Sequence, residues 1–333
     1  MSGRNARSFR GILRILYSAF AAGSAEHASQ AMNQQQGFPR SILWVLVALT
    51  LGWGFNWPMI KLALSELPVF SFRSVCLAGG AAGLFAIARY ARLPLRVPRG
   101  QWGRLLLIAL FNVTIWNVCI AYGIGYMSSG RAAILAYTMP LWSVPLSAWL
   151  LKERITARRM LGVGLGMGAM LLLLSVELRA MQAAPKGTLL MLSGAVSWAT
   201  GTVLMKRFPI ALPVTSLTAW QLLVGGIPIY AGAIAFDLDK LHALTLWPAV
   251  ALAYNVVVAF VFCHWAWYKI VTTVPVGVSS LSSLMTPVVG VFSGMLVLSE
   301  LPHWQDFAAL GLVLMALATV MLPPGSGRGL RPR

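Results

Sequence analysis

The sequence predicts an all-α membrane protein of ten transmembrane helices, arranged as two inverted five-helix repeats with both termini cytoplasmic. Three observations carry that reading. Of 333 residues, 58% are hydrophobic and only 10% charged, against roughly 25% charged in a soluble domain, and the apolar residues gather in ten runs near the roughly 20 residues a helix needs to cross a bilayer. The basic residues fall between the runs in an alternating, lopsided pattern. The two halves of the chain repeat the same polar landmarks in the same order.

Residues 1–40 form a basic extension in which Arg4, Arg7, Arg10, Arg14 and Arg40 face a single acid, Glu26. Arg10 and Arg14 share one helical face, with Phe9, Ile12, Leu13, Leu16 and Phe20 toward the other, as in an interfacial helix. A disordered extension, or a start at Met32, fits the same residues; a signal peptide or a spanning helix does not.

The first five-helix unit covers 41–176. Its first run, 41–61, puts Trp53, Asn56, Trp57 and Ile60 at i, i+3, i+4 and i+7 on one face. Polar groups within a span turn toward a protein interior or a cavity rather than lipid, so this face reads either as a cavity wall or as a packing seam. The second run, 68–89, carries Arg73. A charge within a span must snorkel to the interface or find a partner; Arg73 is read as a structural or gating residue, with attraction of a substrate carboxylate as the alternative. The third run, 103–122, holds Asn112 and Trp116 at i, i+4, with Asn117 beside them. The fourth, 130–151, holds Tyr137, Pro140 and Trp142; Pro140 removes a backbone donor and marks a bending point. The fifth, 159–176, has Gly162, Gly164, Gly166 and Gly168, which permit close helix packing within or between subunits, so monomer and homodimer both remain open.

The second unit covers 187–322. The sixth run, 187–205, contributes Trp198, and the seventh, 215–236, contributes Gln221. The eighth, 246–268, contributes Asn255 and His264. The ninth, 276–299, places Ser279, Ser283, Thr286 and Gly290 in a small, hydroxyl-bearing stripe around Pro287. The tenth is 304–322, and residues 323–333 form a cytoplasmic tail. Asn56, Trp57, Asn112, Trp116, Tyr137, Trp142, Trp198, Asn255, His264 and Ser283 are the candidate substrate contacts; Pro140, Pro287, Arg73 and Gln221 are the structural or gating candidates.

Charge fixes the sides. With the N-terminus inside, twenty of the 26 basic residues fall on cytoplasmic segments, whereas Glu66, Glu177, Asp237, Asp239, Glu300 and Asp306 fall outside. Removing one span would scramble that asymmetry, because every later loop would change sides. The same distribution, basic residues in short gaps rather than on one folded surface, excludes nucleic acid as a partner. Cys76, Cys119 and Cys263 lie inside apolar runs without paired spacing, as small core residues. No cofactor or metal is implied: of four histidines only His264 is in a span, and no acid lies at a span centre. An integral membrane enzyme therefore lacks its constellation. A channel lacks a repeated polar pore lining.

The repeat is read from spacing. Trp53 and Lys61 match Trp198 and Lys206, Pro140 and Glu153 match Pro287 and Glu300, Arg73 matches Gln221, and Asn112 matches Asn255. Because five spans is an odd number, the second copy enters the membrane from the opposite side. Such inverted repeats belong to secondary transporters that exchange two conformations around a midplane site.

These landmarks, with Phe72-Arg73, Lys152-Glu153, Thr286-Pro287 and Ser299-Glu300, make residues 40 to 322 resemble the drug/metabolite transporter superfamily, in its ten-helix EamA-type branch and most of all its aromatic amino acid exporters. The resemblance implies export of aromatic or neutral amino acids across a bacterial inner membrane, with multidrug or lipophilic-cation export as the alternative. Position 201, equivalent to Asn56, is Gly and departs from the repeat. The expected partners are a small-molecule substrate and the lipid bilayer.

Overall fold

A computed structural model describes residues 40–152, 157–180, 186–273 and 276–321. The basic extension, Glu153 and the C-terminal tail lie outside these residues. Among them every regular element is helical. The elements are α1 (Arg40–Ala63), α2 (Val69–Tyr90), α3 (Trp102–Ala109), α4 (Trp116–Gly123), α5 (Ser129–Ala136) and α6 (Met139–Leu151). They continue as α7 (Ala157–Ala180), α8 (Lys186–Arg207), α9 (Val214–Phe236), α10 (Leu246–Tyr254), α11 (His264–Thr273), α12 (Val276–Leu298) and α13 (Trp304–Met321).

The helices follow the apolar runs, because a backbone without water must satisfy its hydrogen bonds within the segment. Seven helical stretches among the described residues are long and apolar enough to cross a membrane, and shorter apolar stretches lie in α7, α12 and α13. Two runs are continuous but not uniform. The third widens between α3 and α4 into a π-helical segment, Leu110–Ile115, and the eighth does so between α10 and α11, over Asn255–Cys263.

The fourth run differs from expectation. It is not one helix weakened at Pro140 but two helices, with Tyr137 and Thr138 in the turn between α5 and α6. Pro140 falls in the first turn of α6, where a missing N–H costs nothing. The Tyr137 N–H still reaches the Ala133 carbonyl at 3.0 Å, and the Leu141 N–H reaches the Thr138 carbonyl at 2.9 Å. Pro287, in contrast, lies inside an unbroken α12.

The packing exchanges between halves. α1 packs along α12, and α8 along α6; α2 lies on α9, and α7 on α13. The third run rests on α8 as the eighth rests on α1. Ser197 Oγ donates to the Phe111 carbonyl at 2.7 Å, and Tyr254 Oη donates to the Gly52 carbonyl at 2.8 Å, with Ser197 offset from Gly52 by 145 positions and Tyr254 from Phe111 by 143. Lys152 and Ser299 both adopt left-handed backbone, φ 56° and 53°.

Carboxylates at one end of the bundle serve helix N-termini, whose free N–H groups and dipole favour negative charge. Asp237 accepts from the Ser71 N–H of α2 at 2.8 Å, and Glu66 accepts from the N–H and hydroxyl of Thr245, ahead of α10. Those bonds hold the Glu66 carboxyl below its ordinary pKa. Glu300 receives the N–H and hydroxyl of Ser129 at the start of α5, and Lys61 Nζ of α1 at 2.7 Å. Nearby, Arg131 pairs with Asp306 at 2.8 Å.

Candidate functional site

At the crossing of these helices lies a cavity of about 770 Å³ of atom-free space. α1 supplies Trp53, Asn56, Trp57 and Ile60, the one-face set that helical spacing predicts. α2 supplies Arg73, and α4 supplies Trp116, Asn117 and Ile120. Tyr137 comes from the turn after α5, Met139 from α6 and Trp198 from α8. The second π segment gives Ala259 and Phe260, α11 gives His264 and Trp267, and α12 gives Thr286.

The walls are aromatic and mutually braced. Trp116 and Trp198 meet at 5.0 Å between ring centroids, and Trp57 stands edge-on to Tyr137 at 6.4 Å. Trp53 is edge-on to His264 at 5.9 Å and tilted on Trp267 at 5.6 Å. His264 in turn stacks on Phe260 at 5.1 Å. Its Nδ1 lies 2.8 Å from the Ala259 carbonyl. A carbonyl can only accept, so Nδ1 carries a hydrogen.

Three polar groups stand out in this apolar setting. Asn117 donates back to the Val113 carbonyl at 2.8 Å and is satisfied. The Oδ1 of Asn56 is buried without a hydrogen-bond partner. Arg73 is 3% exposed, with its guanidinium carbon 5.0 Å from the centroid of the Phe72 ring and its Nε buried and unpartnered. Arg73 therefore does not snorkel: it begins only one turn into α2, but the bundle encloses it.

The structure thus gathers Asn56, Trp57, Trp116, Tyr137, Trp198, His264 and Arg73 around one space. It leaves other candidates outside. Asn112 is buried in the π segment of the third run, where its side chain fills the room left by Gly201 and its Nδ2 lies 3.2 Å from Met205 Sδ. Gln221 approaches the same sulfur at 3.9 Å, so it braces α8 and α9 and does not share the position of Arg73 at the cavity. Asn255 returns its Nδ2 to the Ala251 carbonyl at 2.9 Å on its own helix. Trp142 donates to Thr138 Oγ1 at 3.3 Å, held by the turn. Ser283 falls on α12, but its side chain is outside the described residues. Pro287 adjoins the lining residue Thr286 without lining the cavity itself.

Some lining residues had a signal in the sequence. Trp53 and Ile60 share the helical face of Asn56 and Trp57, and Thr286 lies on the hydroxyl stripe. Ile120, Met139, Ala259 and Phe260 had none, since an apolar residue facing a cavity is written like one facing lipid.

The sequence profile of the EamA-like transporter family matches residues 40–175 and again 185–322. An uncharacterized transporter of Bacillus subtilis, YoaV, is 24% identical over 256 residues, covering 77% of this chain and 88% of its own. Probable amino-acid metabolite efflux pumps are similar too: that of Escherichia coli is 25% identical, covering 80% and 89% of the two chains, and that of Salmonella typhimurium is 25% identical, covering 86% and 94%. A crystal structure at 18% identity superposes with a TM-score of 0.62 over 84% of this chain and 97% of the other, a likeness of fold alone.

Proposed function

The chain belongs to the EamA-like transporter family, and from that premise we propose that it is a secondary transporter exporting aromatic or neutral amino acids by alternating access around the central cavity. In this reading ten helices cross a bacterial inner membrane as two inverted repeats, with both termini cytoplasmic. The reciprocal packing of the halves supports the repeat, because two similar units that trade conformations would turn an inward-facing cavity outward.

The observation that carries the proposal is the cavity itself. Its five tryptophans offer flat faces to an apolar side chain, and the open acceptor of Asn56 suits an ammonium group. Trp57, Trp116, Tyr137, Trp198, His264 and Thr286 are the proposed contacts.

Counterflow in proteoliposomes tests it. Preloaded phenylalanine, tyrosine or tryptophan should drive saturable uptake of the labelled amino acid, and Trp57→Ala should slow exchange by about tenfold or more, the weight of a large buried aromatic contact. Absence of exchange with these three and with threonine and leucine would remove the amino acid reading. Saturable exchange of a lipophilic cation in their place would favour the multidrug alternative, in which the same rings act through cation–π contact.

A further inference from the structure

Resting on the reading of the cavity as the substrate site, we propose that Arg73 forms a carboxylate subsite, which restricts the cargo to small organic molecules carrying a carboxylate at one end and an aromatic or apolar body.

Arginine keeps its charge in proteins and presents five N–H donors in a rigid fork. Here the side chain is enclosed, its Nε has no hydrogen-bond partner, and no described carboxylate forms an ion pair with it. Three described acids are committed elsewhere: Glu300 to Lys61 and Ser129, Asp306 to Arg131, and Asp237 to the Ser71 N–H. A buried charge left unanswered is costly. What a chain gains by keeping one beside an open space is a partner that arrives with the ligand.

The geometry fits a carboxylate. Arg73 shares the cavity with Trp57, Trp116 and Trp198, so a molecule whose carboxylate meets the guanidinium bidentately can lay its body against indole faces. Among the described residues no acid lines the cavity, so a cation placed there would meet Arg73 with no described carboxylate to offset the repulsion.

The test is binding of radiolabelled 3-phenylpropionate and phenethylamine, which share a ring and differ in the charged end, to the purified full chain. Wild type should bind 3-phenylpropionate at least about tenfold more tightly, and Arg73→Gln should weaken that binding by about tenfold to a hundredfold while leaving phenethylamine unchanged or tighter. Equal binding of 3-phenylpropionate by Arg73→Gln, or a wild-type preference for the amine, overturns the subsite. If Arg73→Gln does not fold, the wild-type preference decides alone. Failure of the transport reading looks different: wild type would show no phenylalanine counterflow although carboxylate binding still depended on Arg73. Undiminished phenylalanine counterflow by Arg73→Gln would leave the transporter standing and remove the subsite.

Discussion

Gly201 stands where the first half carries Asn56, and the exchange has a steric reason. A Cβ at 201 would lie 2.0 Å from Asn112 Oδ1 and 3.0 Å from the Asn112 backbone nitrogen. Only glycine lets the π segment of the third run approach α8 this closely. In the other half Asn56 faces the cavity, so one position of the proposed repeat serves packing in one half and lines the cavity in the other. Gly201→Ala should destabilise the protein by about 1–3 kcal/mol through overpacking, read as a lowered melting temperature in detergent. Adding Asn112→Ala should recover part of the loss, since the clash is with that side chain.

At the level of elements, the join between α1, α5 and α12 rests on Glu300. Its left-handed neighbour Ser299 folds the carboxylate back onto the N-terminus of α5. Burial pushes the Glu300 pKa up, but the hydrogen bonds from Lys61 and Ser129 outweigh it and hold the carboxyl below its ordinary value. A carboxylate depressed in the fold contributes stability that is complete above the unfolded pKa of about 4.3, and loses it as pH falls through the lower folded value. Thermal melts should therefore show an acid-side loss below about pH 4, and Glu300→Gln should flatten that dependence while lowering the melting temperature at neutral pH. A melt of Glu300→Gln with wild-type acid sensitivity would place the titration elsewhere. Sequence spacing marked Glu300 as an acid at a helix end, but its partner Lys61 lies 239 positions away, and no local pattern points across that distance.

For the whole molecule, alternating access requires the halves to move against each other. α5 and α12 belong to different halves and meet closely: a Cβ at Gly130 would sit 3.5 Å from Val291 Cβ, within the range a disulfide spans. Gly130→Cys with Val291→Cys should cross-link on oxidation and abolish counterflow, with dithiothreitol restoring it. Exchange at the wild-type rate by the oxidised pair would show that this contact need not open during transport. The native thiols Cys76, Cys119 and Cys263 are free, so a parallel oxidation of the unmodified chain gives the baseline.

The apolar pattern along the chain was enough to place the helices. The run written 41–61 is the helix Arg40–Ala63 and that written 215–236 is Val214–Phe236, because an apolar stretch of membrane length has no other way to satisfy its backbone. It also determined which residues of α1 share a face, since helical periodicity is local. Which faces meet is a matter of tertiary packing: Asn112 and Asn255 turn into packing seams, the fourth run breaks at Tyr137 and Thr138, and Arg73 is enclosed with no described acid beside it. Those outcomes depend on contacts between helices far apart in the chain, and periodicity names a face without naming its neighbour.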